Sequence, residues 1–305
     1  MKSKVVIQIP CLNEEAAIQN VINEFKKIIP RAKIIVYDNN SNDKTVELSK
    51  KCGVEVRIEK KRGKGNVVNR MFSDQIDADF YVMIDGDNTY DIKNINNALK
   101  SMETENFDML VGRRVHKDSN AYRKGHVLGN LIFSKFVNLI FGDGIKDIFS
   151  GFRVFSKRFV KTFPQNSREF EIEAELTIHA LEQRHSIGEF ECEYNPRATG
   201  SSSKLNTFSD GIKIMKLILM LIKDEKPLIF FSLISLIAVF SSLYIGLPII
   251  YEFYSTGLVE KLPSAILAGL LMVTAFLCFF CGLILDVLKK SRYENKRINF
   301  LSFKN

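Results

Sequence analysis

The chain has only four histidines and five cysteines among its 305 residues. The histidines are scattered, which argues against a histidine-based metal centre. The cysteines (Cys11, Cys52, Cys192, Cys278 and Cys281) form no disulfide framework. Cys278 and Cys281 have C-x-x-C spacing, but their neighbours are entirely apolar, so they read as small core residues. Residues 1–10 are a short charged start followed by an apolar run, without the pattern of a signal peptide. No internal repeat or low-complexity tract is evident. At 46% hydrophobic and 26% charged residues, the composition is not that of a disordered chain.

The length suits one large or two modest domains. The net charge is +8 and the pI about 9.1. A basic balance points to an anionic partner: nucleic acid, a phosphate-bearing substrate or a lipid surface.

The two halves differ. In the first, apolar runs alternate with helix-like segments. VVIQIP (5–10), KIIVYD (33–38), VEVRIE (54–59), FYVMID (80–85) and DMLVGR (108–113) are the runs. Helical patterns follow near 14–29 and 43–52, and another follows the Gly-punctuated segment after 59. Repeated β-α units predict an α/β domain: a mostly parallel sheet flanked by helices. Ligands of such sheets gather at the carboxyl ends of strands. Polar residues stand there: Pro10 to Glu15, Asp38 to Asp43, and Asp85 to Asp91.

In the second half, residues 228–251 and 262–285 contain no charge, and each is long enough to cross a bilayer as a helix. The alternative is a buried hairpin in a soluble core. EFYSTGLVEK between the spans has one Lys against two Glu, whereas KDEKP precedes them and KKSRYENKR follows. The basic flanks place both ends in the cytoplasm. The expected division is a catalytic domain over 1–206, an amphipathic juxtamembrane helix over 207–226, and the spans (about 228–251 and 262–286) with a basic tail over 227–305. Lys213, Lys216 and Lys223 punctuate the juxtamembrane segment and suit an interfacial helix; a helix packed on the catalytic domain is the other reading.

Asp85 and Asp87 are separated only by Gly86 at a strand end. Their carboxylates can converge on one hard cation, Mg²⁺ or Mn²⁺. DGD is also ordinary turn chemistry. RGKGN (62–66) is a glycine-containing basic loop that can bring backbone N–H groups and Lys64 to a diphosphate; a solvated loop is its plain alternative. Asp38 is placed to accept a hydrogen bond from a base N–H, or to serve as a turn or cap.

Together these motifs resemble the A-type (GT-A) inverting glycosyltransferases of family 2, and within them the polyprenyl-phosphate sugar synthases, the dolichyl-phosphate mannose synthase group. The resemblance covers almost the whole chain. P-x-x-N-E-E appears as Pro10, Asn13, Glu14 and Glu15, and D-D/N-x-S-x-D as Asp38, Asn39, Ser41 and Asp43. D-x-D is Asp85 and Asp87. V-G-S-R appears as VGRR, so Arg114 keeps the Arg position and Arg113 replaces Ser. D-x-x-S-G-[FY]-R is Asp147, Ser150, Gly151, Phe152 and Arg153. R-x-x-G-x-S-K is Arg197, Gly200, Ser202 or Ser203, and Lys204. One departure stands out: where mannose synthases read D-A-D-L-Q, this chain has DGDNTY, so Thr89 or a water must take the metal position of the Gln.

The resemblance implies transfer of one sugar from a nucleotide-sugar to a polyprenyl phosphate (undecaprenyl or dolichyl phosphate) for cell-envelope glycan or glycoprotein modification. The DNTY run favours UDP-glucose or UDP-N-acetylglucosamine over GDP-mannose, which remains the alternative. Pro10, Asn13, Glu14, Asp38, Lys64 and Asp85 are then expected at the nucleotide. Asp85, Asp87 and Thr89 are expected at Mg²⁺ or Mn²⁺. Asp87, Arg114, Arg153 and Lys204 carry the catalytic expectation, with Arg153, Glu173, Arg197, Ser203 and Lys204 toward acceptor or sugar. Glu173 contacts sugar hydroxyls, positions an Arg, or only starts a helix. The enzyme is expected in the cell membrane, multi-pass, with the catalytic domain on the cytoplasmic face. A processive polysaccharide synthase would need more spans and a Q-x-x-R-W segment, and the chain has no Trp. A non-catalytic membrane scaffold is a further rival. Nucleic acid is not an expected partner, because basic residues cluster at motif loops and membrane flanks. A homo-oligomer is left open.

Overall fold

The structure is a computed structural model that describes residues 3–74, 76–115, 134–135, 137–138, 145–164, 172–196, 216 and 218–303. It falls into two compact units, Met1–Phe208 with Lys296–Asn305, and Ser209–Asn295.

The first unit is built on a seven-stranded sheet. Its strands are β1 (Val5–Cys11), β2 (Lys33–Asp38), β3 (Glu55–Ile58), β4 (Phe80–Met83), β5 (Met109–Val115), β6 (Arg153–Ser156) and β7 (Ile187–Glu193). Their spatial order is β3-β2-β1-β4-β6-β5-β7. Every pairing is parallel except the two made by β6. The chain winds outward from β1 through β2 to β3, then returns to place β4 on β1's other side. That reversal opens a crevice at the carboxyl ends of β1 and β4, the usual ligand position in such sheets.

Helices α1 (Ile18–Ile28), α2 (Thr45–Lys51), α3 (Lys64–Ser73) and α4 (Ile95–Thr104) connect the parallel strands, followed by α5 (Lys157–Thr162) and α6 (Ile172–Glu182). In α1, Ile18, Val21, Ile22 and Phe25 fall on one face at helical spacing, and all four are buried. They pack on Ile7 and Ile9 of β1, whose seven residues are all buried, the sign of a strand covered on both faces. Truncating Phe25 to Ala would cost about 3–5 kcal/mol.

The register of β6 matters for the site. Met83 pairs with Arg153 in the antiparallel ladder. Two residues further, the pairing direction brings Asp85 opposite Gly151. The sequence Asp147–Arg153 therefore meets the end of β4 although about sixty residues separate them in the chain.

The second unit contains α7 (Pro227–Thr256) and all but the last turns of α8 (Leu262–Ser302). Pro227 starts α7 where a missing N–H does no harm, and Gly257, at φ 71°, ends it. Ser242 Oγ donates to Ala268 O and Ser235 Oγ to Ala275 O, both at 2.8 Å, so the two helices run antiparallel. Both are long and apolar enough to cross a membrane. Only 11% and 17% of their most apolar windows are buried, so both helices carry broad exposed apolar faces. Of the juxtamembrane segment, residues 216 and 218–226 are described, helical to Glu225.

One boundary differs from the sequence reading. The basic stretch after the second span was expected as a tail, but α8 continues unbroken to Ser302. Its last residues belong to the first unit: Lys296 pairs with Glu182, Arg297 donates to Gln183 O, and Phe300 stacks on His185.

Candidate active site

Three strand-end loops turn on an asparagine with positive φ: Asn13 after β1 (55°), Asn40 after β2 (62°) and Asn88 after β4 (57°). Asparagine tolerates this left-handed region better than other side chains, because its amide can bond locally. The β1 and β2 loops are then laced together. Asn13 N–H donates to Ser41 Oγ at 2.9 Å, and Asn42 N–H to Asn13 Oδ1 at 2.8 Å. Glu14 N–H donates to Thr45 Oγ1 and Glu15 N–H to Asp43 Oδ2. Pro10 lies within β1 beside Tyr37 of β2. The P-x-x-N-E-E and D-N-x-S-x-D motifs are thus one construction.

Asp38, 1% exposed, accepts from Ser41 N–H through Oδ2. Its Oδ1 is buried with no partner among the described residues. A buried carboxylate oxygen left in this state favours a donor arriving with a ligand. Next to it, Asn39 grips the basic loop. Its Nδ2 donates to Glu59 O and Lys61 O, and its Oδ1 accepts from Gly63 N–H at 2.8 Å. Gly63 has φ 120°, a conformation strained for any other residue, and it delivers Lys64 as the first residue of α3.

Lys64 reaches two carboxylates, Asp85 from the β4 end and Glu173 from α6. Burial alone would lower its pKa, but Asp85 and Glu173 outweigh that and raise it. The other wall of Asp85 is Gly151, where a Cβ would lie 2.7 Å from Asp85 Cγ. Gly151 is fixed by donating its N–H to Tyr90 Oη at 2.9 Å. Asp87 is 3% exposed, and its Oδ1 accepts from Thr89 Oγ1 at 2.6 Å and from Thr89 N–H at 3.2 Å.

Three of the expected site residues make contacts that the sequence did not show. Thr89, expected in a metal position, is fully buried and its hydroxyl donates to Asp87 Oδ1. That bond orients the carboxylate. Glu173, expected at sugar hydroxyls, at an Arg or only as a helix start, stands in the first turn of α6 and pairs with Lys64. Arg153 was expected at the acceptor phosphate, but it is 0% exposed. Its guanidinium donates to Ser150 O, Ile148 O and Thr177 Oγ1, binding the β6 entry loop to α6. Burial pushes its pKa down to about 10, so it stays charged at neutral pH. A charged residue is rarely this buried unless it is bonded on all sides.

Arg114, expected at anions, turns its Nε and Nη2 to Asp147 and lies over the Tyr194 ring, 5.4 Å from its centre. Arg197, Ser203 and Lys204 lie outside the described residues. Sequence reasoning missed Tyr90, Asn39 and Gly151 as builders of the site, although each stands inside a motif that drew attention for other residues.

The donor set at the β4 end is two carboxylates, all oxygen, and one is already neutralised by a cation. That chemistry fits a hard divalent ion. Among the described residues no group of three or more His, Cys, Asp or Glu is placed to hold a metal; two carboxylates alone would leave most of such an ion's oxygen positions open.

An unsatisfied buried acceptor on β2, a basic loop and paired carboxylates thus meet at the carboxyl end of an α/β sheet. The chain belongs to glycosyl transferase family 2, whose model matches residues 6–163, and it is a glycosyltransferase. It is similar to glycosyltransferase AglJ of Haloferax volcanii, 28% identical over 300 residues, covering 97% of this chain and 98% of that one. It is also similar to a dolichyl-phosphate hexose transferase of the same organism, 26% identical over 215 residues, covering 70% and 92%. Among solved structures it shares the fold of glucosyl-3-phosphoglycerate synthase from Mycobacterium tuberculosis, solved with Mn²⁺, UDP and phosphoglyceric acid. The TM-score is 0.57 at 18% identity, covering 73% of this chain and 78% of that one. The expectations of a GT-A, mostly parallel sheet and two apolar C-terminal helices are borne out.

Proposed function

We propose that the enzyme moves one sugar from a nucleotide-sugar, UDP-glucose or UDP-N-acetylglucosamine, to a polyprenyl phosphate at the cytoplasmic face of the cell membrane. The observation that carries this reading is the unsatisfied Asp38 Oδ1 standing on the strand next to β1, with Lys64, Asp85 and Asp87 at the same end of the sheet. The similarity to a dolichyl-phosphate hexose transferase supports the acceptor class. The solved relative with Mn²⁺ and UDP supports the donor class.

In this reading Asp38 accepts a hydrogen bond from the base, and Lys64 faces the diphosphate. Asp85 and Asp87 would hold Mg²⁺ or Mn²⁺. When bound, such an ion stabilises negative charge on a departing diphosphate. The bond from the sugar's anomeric carbon to the diphosphate breaks, and a bond to the acceptor phosphate oxygen forms on the opposite face, inverting the centre. That oxygen is already anionic at neutral pH, so no strong base is required. His179 and His185 fit this, since both are buried among Phe159, Phe163 and Phe300. Arg197, Ser203 and Lys204 are assigned to the acceptor phosphate. The α7–α8 hairpin would hold the site at the bilayer, where a long-chain lipid phosphate resides.

The test is incubation of membranes carrying the protein with polyprenyl phosphate and, separately, UDP-glucose, UDP-N-acetylglucosamine and GDP-mannose. A lipid-linked sugar from a UDP-sugar is expected. Product from GDP-mannose alone would overturn the donor assignment, and product from none would overturn the acceptor class.

A further inference from the structure

We propose that Lys64 is a built-in counter-cation for the metal seat, which occupies Asp85 until a divalent ion replaces it, with Glu173 as its second anchor. The inference rests on reading the β4 end as a metal–nucleotide site.

Three observations carry it. First, Lys64 Nζ contacts Asp85 and lies 2.5 Å from Glu173 Oε1, so one ammonium bridges carboxylates from β4 and α6. The Lys64 and Glu173 side chains are only 15% and 8% exposed, so water screens that arm of the bridge little, while Asp85, at 27%, stays open to an arriving ion. Second, Asp85 is confined. Gly151 stands close enough that even a Cβ there would meet its carboxylate. The side chain has Lys64 on one side and backbone on the other. Third, Glu173 is 6% exposed and its ion pair is with Lys64, so the lysine keeps an anionic partner whatever happens at Asp85.

An ammonium is a compact +1 charge with three donors and no acceptor. It satisfies a carboxylate but competes with a divalent ion for it. The ion prevails once phosphate oxygens supply its remaining ligands, because the doubled charge then meets a full oxygen shell. Lys64 released from Asp85 stays tethered to Glu173 and turns its free N–H groups to the incoming diphosphate. The exchange makes ion and nucleotide bind together and disfavours the ion alone. Glu173 in this scheme is a positioning residue, acting through Lys64.

The experiment is a Mn²⁺ titration of the purified full chain in detergent, without nucleotide, followed by electron paramagnetic resonance of free Mn²⁺. Lys64→Met is expected to bind Mn²⁺ about tenfold more tightly than wild type, since a neighbouring positive charge is gone. Glu173→Gln leaves Lys64 with Asp85 alone and is expected to weaken Mn²⁺ binding about threefold. Opposite shifts from two touching residues are not what a general loosening of the site would give. Lys64→Gln, which keeps a donor between the carboxylates, is the second variant should Lys64→Met not fold, and tightening is expected there too. Equal Mn²⁺ occupancy in wild type and the lysine variants at every concentration, nil included, overturns the proposal. A parallel titration with UDP separates the levels: if UDP promotes Mn²⁺ binding while the lysine variants match wild type, only this inference falls. If wild type takes no Mn²⁺ even with UDP, the metal–nucleotide reading falls and takes the inference with it.

Discussion

Arg114 at the end of β5 and Asp147 before β6 form a two-pronged ion pair, with Nε and Nη2 each 2.7 Å from a different carboxylate oxygen. Their side chains are 13% and 9% exposed, so the pair sits largely out of water. It joins two motifs 33 residues apart and fixes the loop that carries Gly151 to Asp85. Truncating Arg114 to Ala leaves a buried carboxylate without its fork and should cost about 3 kcal/mol of stability. Asp147→Asn combined with Arg114→Ala should recover part of that loss. Denaturation of the single and double variants checks this, and purely additive losses would contradict the coupling.

Gly151 is where the backbone must approach Asp85 closely. Gly151→Ala should keep the sheet but push the Asp85 carboxylate aside, at about 1–3 kcal/mol of overpacking. Sugar transfer should fall by more than tenfold, the usual consequence of misplacing a group at the chemistry by about 1 Å. Near-normal transfer with an unchanged metal requirement would show that Asp85 has room to move.

Arg153 makes its bonds inward, so its loss should read as instability. Arg153→Met strips donors from Ile148 O, Ser150 O and Thr177 Oγ1 and should cost about 2 kcal/mol. Arg153→Lys should not restore it, because one ammonium cannot reach three fork positions. Melting temperature is the readout. A stable variant whose only defect is weaker use of the lipid phosphate would return Arg153 to the role expected from sequence.

His179 and His185 give a pH dependence. Burial holds His185 down to about 4, with Arg297 and Arg158 adding to the effect and Asp108 opposing it. Burial holds His179 down to about 2, helped by His185 and Lys296. Both are neutral when folded, while unfolding restores values near 6.5. The unfolded chain therefore binds more protons below pH 6.5, and stability falls as pH drops. The neutral-histidine contribution is fully present above about pH 6.5 and declines toward about pH 4 for His185 and about pH 2 for His179, by about 2 kcal/mol for each histidine between pH 7 and pH 5. Because Phe300 stacks on His185 at 4.0 Å, the end of α8 should loosen with it. Thermal melts across pH 5–7.5 test this, and His185→Phe should remove about half the slope.

What the sequence revealed follows from burial. β1, β2 and β4 are covered on both faces, so Ile34–Tyr37, Phe80–Ile84 and, but for the buried Gln8, Val5–Ile9 read as apolar runs. β6 is four residues long and opens with the buried Arg153, which looks like a surface charge. β7, IGEFECE, sits at the sheet edge with most residues half-exposed, and its acids disguise it. Asp85 and Asp87 stood out because an apolar strand ends on them. Lys64, the partner of Asp85, was visible as a basic loop residue, but its contact with Glu173 joins positions 109 residues apart and only the fold reveals it. The end of α8 misled for a similar reason: KKSRYENKR is polar enough to resemble a tail, while Lys296 and Arg297 find partners on and beside α6.

The central claim is that the carboxylates at the end of β4 serve metal-dependent transfer of a sugar to a lipid phosphate. The most direct measurement compares wild type with Asp87→Ala for formation of polyprenyl-phosphate sugar from a UDP-sugar, with Mn²⁺ and with chelator. Asp87 is buried beside Thr89 and at 3% exposure is not a surface ornament. The account predicts lipid-linked sugar from wild type only when the ion is present, and at least a hundredfold less from a folded Asp87→Ala, on the order of 3 kcal/mol of transition-state stabilisation. Equal product from the variant, or from wild type in chelator, would contradict it.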